Sequence, residues 1–445
     1  MDGQMRPQDT IVALSSGRLP AGVAVVRMSG PQTRFALETI AGGIPPARNA
    51  ALRRLTAADG STLDTGLVLF FPAPRSFTGE DVAEFHVHGG RAVVAALLRA
   101  LNALDGVRQA EPGEFTRRAF LGGKLDLVET EAFADLIGAE TEAQRRFATV
   151  NAGGGQGRLY AAWRRRLIHA RAMVEAEIDF AEESDVPGAV SQSVWPDVAA
   201  LAAEIACHVQ GFHAAEIIRD GFEVVIVGAP NAGKSSLFNA LAQREAAIVS
   251  DEPGTTRDLL DIMLDLDGAL VRVTDTAGLR AEAGKVEAIG IRRAREKAHG
   301  ADLVLVLEDM TAPHAVDLAG IEAPLLRVGS KADLLPAHGA GGGRHDFHVS
   351  VVTGEGIGEL TAEIGRRASA AAGKGGEILP FRLRHVGLLD EAKTFLERAL
   401  GMDAGAPELR AEDLRLAADR LGRIVGAVDV EDLLDVIFSQ FCIGK

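Results

Sequence analysis

A glycine-rich loop is the clearest chemical signal in the chain. Residues 228–235 read GAPNAGKS and fit the pattern G-x-x-x-x-G-K-[ST], in which backbone amides and the start of the next helix bind phosphate groups. Lys234 is expected to contact the β- and γ-phosphates of a nucleoside triphosphate, and Ser235 to bind Mg²⁺. An apolar run, 222–227, precedes the loop, and a helical pattern, 236–242, follows it. The motif requires this context, so a chance match in a glycine-rich chain is disfavoured.

A second phosphate-side motif, DTAG, closes the apolar run 271–274. Asp275 can bind Mg²⁺ through water, and the amide of Gly278 can contact the γ-phosphate. Between the two motifs lies PGTTRD, residues 253–258, whose threonines suit a loop that Mg²⁺ and the γ-phosphate order.

A base-recognition motif, SKAD, follows the apolar run 325–328. Asp333 can accept two hydrogen bonds from guanine, and adenine lacks that pair of donors. Ser350 begins SVV, which lies at the end of the strand candidate 347–351 and would lie behind the base. These motifs occur in the order that a GTPase needs, each at a strand end, and together they predict a Ras-like GTPase domain.

One position of the base motif departs from the usual pattern, because Ser330 stands where Asn or Thr is normal. Serine can still donate a hydrogen bond, but its side chain is shorter than that of Asn. We expect weaker nucleotide binding than Asn would give, with guanine selectivity retained through Asp333.

The residue that orients the attacking water is not evident from the motifs. Ras-like GTPases often place Gln two residues after the glycine of DTAG, but here Gly278 is followed by Leu279 and Arg280. Glu282 and Glu287 lie in the following segment and both could reach the water. The residue types alone do not separate them.

The pattern of apolar residues along the chain predicts the strands and helices that position these motifs. From residue 222 to about 370, strand-like runs (303–307 is another) alternate with helical segments, which predicts a mostly parallel sheet covered by helices. Before this region, the runs 23–28 and 67–71 and the helical stretch 91–104 indicate an α+β domain.

We therefore predict a multidomain α/β chain. Residues 1–122 form an N-terminal α+β domain, and residues 216–378 form an inserted Ras-like P-loop G domain. Residues 123–215 and 379–445 form the two parts of an all-α helical domain, because helical patterns flank the α/β segment on both sides.

Composition excludes several classes of protein. Hydrophobic residues make up 47% and charged residues 24%, as in globular proteins, and no apolar stretch is long enough for a membrane span. The N-terminal residues lack the pattern of a secretory signal, and Cys207 and Cys442 are the only cysteines, so we expect a cytoplasmic protein. The net charge of −15 argues against nucleic-acid binding through overall charge, and the basic runs 117–118 and 163–166 are better explained as solvated helix faces.

With these residues assembled, the chain closely resembles the MnmE (TrmE) family of tRNA-modification GTPases over essentially its whole length. The motifs that carry the resemblance are FTGED at 77–81, HGG at 88–90, PGEF at 112–115, GAPNAGKS at 228–235, PGTTRD at 253–258, DTAGLR at 275–280 and FCIGK at 441–445.

The resemblance implies that the N-terminal domain is similar to tetrahydrofolate-binding enzymes and forms a constitutive homodimer. It also implies that the G domains associate when GTP and K⁺ are bound, with K⁺ taking the part of an arginine finger. It assigns catalytic roles to Glu287 and Asn231 and so decides against Glu282, and it assigns Mg²⁺ to Ser235 and Thr256. The K⁺ ligands that it implies are Asn231, Ser250, Glu252 and Thr255.

Motifs and resemblance together predict a set of GTP-binding residues. These are Asn231, Ala232, Gly233, Lys234, Ser235, Ser236, Ser250, Thr255, Thr256, Asp275, Thr276, Ala277, Gly278, Ser330, Lys331, Asp333, Ser350, Val351 and Val352.

The family's partner is the FAD-dependent protein MnmG, with which it forms a heterotetramer that acts on tRNA. The resemblance implies that they add an aminomethyl or carboxymethylaminomethyl group to carbon 5 of the wobble uridine. The one-carbon unit comes from a tetrahydrofolate derivative (the 5-formyl or 5,10-methylene form), and glycine or ammonium supplies the nitrogen.

Four residues match folate-contacting positions of the family: Arg27, Glu84, Lys124 and Lys445. Arg27 and Lys124 suit the carboxylates of a glutamyl tail, and Glu84 suits the hydrogen-bond donors of an aminopterin ring.

Two further features stay open at this level. Cys442 matches a terminal cysteine proposed as functional, and it is either an accessible thiol or part of a packed docking tail. His86 and His88 form His-x-His on a strand, but no other Cys or His cluster supports a metal site there.

Two other functions compete with the first. A regulatory GTPase of ribosome assembly, similar to the Era and Der families, would share the G domain but would have no use for tetrahydrofolate. A non-catalytic folate scaffold with a vestigial G domain is disfavoured by the intact Lys234, Ser235, Thr256 and Asp275.

Overall fold

The described residues form two β-sheets, one in each of two compact units. The computed structural model describes residues 9–179, 191–243, 246–248, 261–275, 297, 299–316, 318–335, 344–373, 378–402, 406–428, 434, 437–438, 441 and 444. The chain divides into two compact units, residues 1–134 with 422–445 and residues 135–421.

The first unit contains a six-stranded sheet in the order β3-β4-β5-β2-β1-β6. Its strands are β1 Thr10–Leu14, β2 Ala21–Ser29, β3 Ala51–Thr56, β4 Thr62–Phe71, β5 Val82–Gly89 and β6 Val107–Gln109. Neighbours are antiparallel, except that β1 and β6 run parallel. The helices are α1 Thr33–Ala41, α2 Arg91–Asn102, α3 Glu114–Leu121 and α4 Leu127–Gly138, the last of which continues into the second unit.

Strand periodicity gives this sheet two different faces. Ala24, Val26 and Met28 of β2 belong to a buried cluster that also includes residues of α1 and α2. Because side chains alternate along a strand, Val25 and Arg27 point to the other face. That second face carries the candidate residues of the N-terminal site.

The second unit contains a seven-stranded sheet in the order β13-β12-β11-β7-β10-β9-β8. Its strands are β7 Phe222–Gly228, β8 Ala247–Ile248, β9 Asp261–Leu266, β10 Ala269–Asp275, β11 Leu303–Asp309, β12 Leu325–Ser330 and β13 Phe347–Val349. The pairs from β13 to β10 are parallel, and the β8–β9 and β9–β10 pairs are antiparallel. Every strand predicted in this region is present, with bounds that differ by one or two residues.

The described helices of the second unit include the two parts of the predicted all-α segment. They are α5 Glu142–Ala152, α6 Gly155–Asp179, α7 Trp195–Gln210, α8 Phe212–Asp220, α9 Lys234–Ala242, α10 Ile357–Ala372, α11 Leu383–Gly401 and α12 Pro407–Val425. A capping box at Thr141 begins α5, because Gln144 and Thr141 each bind the other's backbone amide. Gly153 and Gly154 separate α5 from α6.

The grouping of the last residues differs from the predicted division at residue 379. Residues 422–445 belong to the first unit, where Phe438 and Phe441 are buried in one cluster with Leu127. The division into four segments stays a prediction. The sequence also predicts a helix over 429–441 with Asp429 as its N-cap, and most of these residues lie outside the described part of the chain.

Candidate functional site

The phosphate loop lies between β7 and α9, as the motif predicts. Residues 229–233 connect the two elements, and Asn231 and Gly233 have left-handed backbone conformations with φ of 63° and 93°. The ammonium of Lys234 donates to the carbonyls of Gly228 and Ala229 at 2.8 and 2.9 Å. The first amides of a helix have no acceptors within that helix, so the start of α9 suits an anion.

Strand pairing brings the carboxylate of Asp275 to the phosphate loop. β10 runs parallel to β7 with Asp275 beside Ile226, so both strands end at the same edge of the sheet. The hydroxyl of Ser235 donates to Oδ2 of the buried Asp275 at 2.8 Å. A hydroxyl and a carboxylate side by side are the hard oxygen donors that Mg²⁺ prefers, so these residues fit that ion.

Ser330 connects the base motif to the phosphate loop. Its hydroxyl lies 2.7 Å from the carbonyl of Ala232, to which it donates, and 3.2 Å from the carbonyl of Glu308. Ser330 is buried, so its hydroxyl makes both contacts inside the protein.

The other residues of the base motif are oriented by hydrogen bonds from neighbouring segments. The hydroxyl of Ser350 donates to Oδ1 of Asp333 at 2.6 Å, which leaves the second carboxylate oxygen for another donor. Lys331 lies 2.5 Å from Oδ2 of Asp309. Burial alone would raise the pKa of Asp309, but hydrogen bonds from Lys331 and Thr311 lower it to about 2.

The predicted GTP-binding residues divide into two groups. Those that the structure brings together at the ends of β7, β10, β12 and β13 are Asn231, Ala232, Gly233, Lys234, Ser235, Ser236, Asp275, Ser330, Lys331, Asp333, Ser350, Val351 and Val352. Those that lie outside the described residues are Ser250, Thr255, Thr256, Thr276, Ala277 and Gly278. The same holds for the predicted K⁺ ligand Glu252, the predicted catalytic residue Glu287, and for Cys442 and Lys445.

Arg27 and Glu84 form one charged unit on the second face of the first sheet. They are direct partners across β2 and β5, and Nε of Arg27 donates to Oε1 of Glu84 at 3.0 Å. The guanidinium lies over the rings of Phe77 and Phe115, with centroid distances of 5.5 and 5.8 Å. The two opposite charges therefore lie together at one place on this face.

Lys124 lies beside the turn that carries Phe77. A β-carbon placed on Gly79 would lie 3.2 Å from Cε of Lys124, so the lysine stem packs along this turn. Gly79 also has a φ of +85°, which favours glycine. Arg27 and Lys124 therefore both lie against the Phe77 turn, and Glu84 is next to it through its contact with Arg27.

A buried ionic network holds the two motifs that surround this region. Glu114 of PGEF accepts hydrogen bonds from Arg108 and Arg118, and Arg118 also donates to Glu80 of FTGED. Burial opposes ionisation of Glu114, but these arginine bonds outweigh it and lower its pKa. The network positions Phe77 and Phe115 beneath Arg27 because both rings belong to the motifs that it connects.

The sequence motifs did not predict two carboxylates that lie near the candidate sites. Asp64 binds the imidazole of His88 at 2.9 Å, and Asp309 binds Lys331, although the partners are 24 and 22 residues apart. Only the pairing of strands brings them together. Within the described residues, no group of three His, Cys, Asp or Glu side chains is arranged to hold a metal, and none of the described helices has the length and apolarity of a membrane span.

Two family models match the chain. The model described as "GTP-binding protein TrmE N-terminus" covers residues 10–124, and that described as "MnmE helical domain" covers residues 127–442.

Curated relatives are similar over their full length. A protein of Mesorhizobium japonicum named "tRNA modification GTPase MnmE" is 70% identical, with 98% of this chain and 99% of that protein covered. A protein of Chelativorans sp. with the same name is 56% identical over 100% of both chains.

Two solved structures are similar to part of the chain. The G domain of the T. maritima FeoB iron transporter is 24% identical and covers 33% of this chain and 98% of that chain, with a TM-score of 0.25. A variant of Aquifex aeolicus Era bound to GDP·AlF4⁻ is 23% identical and covers 42% of this chain and 69% of that chain, with a TM-score of 0.27. Likenesses this partial do not bear on function. The two family models and the full-length relatives do, and they show that the chain belongs to the MnmE (TrmE) family of GTPases.

Proposed function

We propose that the chain is a K⁺-activated GTP hydrolase of tRNA modification in the cytoplasm. With an FAD-dependent partner of the MnmG kind, it adds an aminomethyl or carboxymethylaminomethyl group to carbon 5 of the wobble uridine. The one-carbon unit comes from a tetrahydrofolate derivative. The observation that carries the proposal is the contact of Ser235 with Asp275 at 2.8 Å beside the phosphate loop, in a chain that also holds the Arg27–Glu84 unit. The name shared by the relatives supports the tRNA part.

The described residues suggest how the chain handles GTP. Lys234 neutralises phosphate charge, Ser235 and Asp275 bind Mg²⁺ directly and through water, and Asp333, oriented by Ser350, accepts hydrogen bonds from guanine. Mg²⁺ supplies charge neutralisation when bound. We assign K⁺ to Asn231 together with Ser250, Glu252 and Thr255, and orientation of the attacking water to Glu287.

The N-terminal residues fit a tetrahydrofolate derivative, with one change in their roles. Because Arg27 binds Glu84, both contact the pterin-ring end of the ligand in our proposal, and the glutamyl tail falls to Lys124 and Lys445. Phe77 and Phe115 offer aromatic surfaces next to this pair. An assembly GTPase of the Era or Der kind would not need these residues, so the Arg27–Glu84 unit disfavours that alternative.

The same sheet face supports the proposed homodimer. Leu52 and Leu67 are direct partners across β3 and β4, yet 68% and 43% of their surfaces are exposed. Exposed apolar residues that lie next to one another are typical of a protein interface. The chain has a net charge of −15, so we assign most of the tRNA affinity to the partner protein.

The GTPase rate in K⁺ and in Na⁺ at equal ionic strength tests the proposal. An arginine finger is worth about 10³–10⁵ in rate, so replacing K⁺ should cost at least about tenfold if K⁺ takes its part. Glu287→Ala should lower the K⁺ rate to background, and Glu282→Ala is the matched control that keeps it. Equal rates in the two salts would overturn K⁺ activation.

A further inference from the structure

The end of strand β11 lies between the two halves of the nucleotide site. In the second sheet, β11 pairs in parallel with β12, which leads into the base motif, and with β7, which leads into the phosphate loop. A nucleotide whose base binds Asp333 and whose phosphates bind Lys234 therefore has to cross the end of β11. Asp309 is the last residue of this strand and the direct partner of Ser330 on β12.

Lys331 connects the base motif to this strand end. Its ammonium donates to Oδ2 of Asp309 at 2.5 Å. Lys331 directly follows β12 and has a left-handed backbone with a φ of 59°, which is uncommon for a residue other than glycine. Its side chain therefore runs from the end of β12 to the end of β11, along the path that the nucleotide has to take.

The two side chains differ in their exposure. The side chain of Lys331 is 37% exposed, whereas that of Asp309 is 13% exposed. The ammonium of Lys331 is thus bound by the carboxylate, while part of the apolar stem stays open and can pack against a planar ring. A free lysine side chain populates many rotamers, and the ion pair selects one of them before a ligand binds.

A purely structural role leaves the contact with Lys331 unexplained. Oδ1 of Asp309 accepts hydrogen bonds from the amide and the hydroxyl of Thr311 at 2.9 and 2.7 Å, which fix the turn after β11. The amide of Met310 donates to the carbonyl of Ser330 at 3.2 Å and joins this turn to β12. The turn is therefore held without the lysine.

A direct contact between Asp309 and the ribose of the nucleotide also fits less well. Both carboxylate oxygens already accept hydrogen bonds, one from Thr311 and the other from the charged Lys331. The carboxylate is therefore better suited to act on the nucleotide through Lys331.

We propose that Asp309 is a positioning residue of the nucleotide site, because it holds the ammonium of Lys331 so that the lysine stem lies along the bound nucleoside. The proposal rests on the assignment of guanine to Asp333 given above. The ligand class is a guanine nucleoside di- or triphosphate, which Asp309 itself does not touch. Loss of Asp309 should weaken GDP and GTP by the same factor, because the phosphates bind at the other half of the site.

A double-mutant cycle in the full-length protein tests this proposal. GDP and GTP affinities are measured by titration for wild type, Asp309→Asn, Lys331→Ala and the double variant. Asp309→Asn keeps the size of the side chain and an acceptor for Thr311, but it removes the charge that binds Lys331. We expect Asp309→Asn to weaken both nucleotides about three- to tenfold when Lys331 is present and less than about twofold in the Lys331→Ala background.

The sign of the effect separates positioning from simple electrostatics. Removal of a negative charge near an anionic ligand would by itself strengthen binding, so tighter binding by Asp309→Asn would overturn the proposal. An equal loss of affinity in both backgrounds would overturn it as well, because Asp309 would then not act through Lys331. Thr311→Ala is the matched control, since it removes the other side-chain partner of Asp309 and should bind GDP within about twofold of wild type.

Two further ligands separate this inference from its alternatives. With 2′,3′-dideoxy-GDP, the loss in Asp309→Asn should persist, and its disappearance would identify a direct ribose contact and overturn the proposal. ADP tests the function on which the inference rests. Wild type that does not prefer GDP to ADP overturns the assignment of Asp333 and this inference with it. Wild type that prefers GDP, with the affinity unchanged in Asp309→Asn, overturns only the inference.

Discussion

Ser330 connects two motifs of the nucleotide site through one hydroxyl group. Its hydroxyl reaches the Ala232 carbonyl at 2.7 Å and thereby connects the base motif to the phosphate loop. A hydrogen bond of this kind is worth about 0.5–1.5 kcal/mol, and more when its loss leaves a buried group unpaired.

We predict that Ser330→Ala weakens GTP and GDP binding by about tenfold, because the phosphate loop loses this restraint. Ser330→Asn should tighten binding, since the longer side chain can keep the loop contact and add one to the nucleotide. Guanine selectivity should persist in both variants through Asp333. Nucleotide titrations of the two variants check this.

Ser369→Ala is the control, because Ser369 is exposed on α10 of the same unit. Unchanged affinity in both Ser330 variants would mean that the contact with Ala232 is energetically silent. A gain of ATP binding in either variant would mean that Asp333 alone does not select guanine.

Two strands of the first unit, β3 and β4, carry neighbouring exposed leucines. Leu52 of the edge strand β3 and Leu67 of β4 are partners on a face that α1 and α2 do not cover. Burying apolar surface is worth roughly 25 cal/mol per Å², so a face of this kind is stabilised by a second copy.

If the proposed homodimer forms through this face, we expect Leu52→Asp with Leu67→Asp to convert it into a monomer, because two charges of each chain would be buried in the interface. Light scattering after size-exclusion chromatography measures the mass directly. Because both side chains are exposed in the single chain, its own fold should survive.

Phe35→Asp provides the control for that experiment. Phe35 is 51% exposed but lies on α1, which covers the opposite face of the sheet. A double-leucine variant that stays dimeric would exclude this face from the interface, and a monomeric Phe35→Asp variant would point to the helical face.

A fall in pH should change the stability of the two units in opposite directions through His208 and Asp126. In the second unit, burial, with a smaller effect of His385, lowers the pKa of His208 to about 4. The unfolded value is about 6.5, so the stability that neutral His208 contributes is fully present above that pH and is lost as the pH falls towards 4. In the first unit, burial raises the pKa of Asp126 to about 6. The folded unit therefore favours the protonated carboxyl, and this group adds stability as the pH falls through about 6.

Between pH 7 and pH 5, His208 should therefore remove about 2 kcal/mol from the unfolding free energy of its unit. His208→Gln should lower stability at pH 7, because the contact with Tyr160 at 3.0 Å changes, but should make the loss on acidification smaller. Calorimetric unfolding at the two pH values measures this difference. A pH dependence equal to that of wild type would refute the assignment to His208.

Asp126→Asn is the matching variant in the other unit. This variant should remove the gain in stability of the first unit on acidification. The loss of stability that His208 causes in the second unit should stay unchanged. If both variants altered the same calorimetric transition, the two units would not unfold separately.

The sequence by itself predicted a nucleotide site and the strands of the sheet that would carry it, and the structure confirms those strands. GAPNAGKS, DTAG and SKAD each place their key residue within a few positions of a strand end, and apolar runs predict those strands. Such local signals depend on spacing along the chain, so they can be read without knowing how the strands pair.

Only the tertiary structure decided which side chains meet across strands. Ser330 finds Ala232 across 98 residues, Arg27 finds Glu84 across 57, and Asp64 finds His88 across 24. The order and register of the strands set these contacts, and a register shift of one residue would turn each side chain to the other face. The family resemblance implied folate contacts for Arg27 and Glu84 separately, but the contact of these two side chains with each other follows from the pairing of β2 with β5.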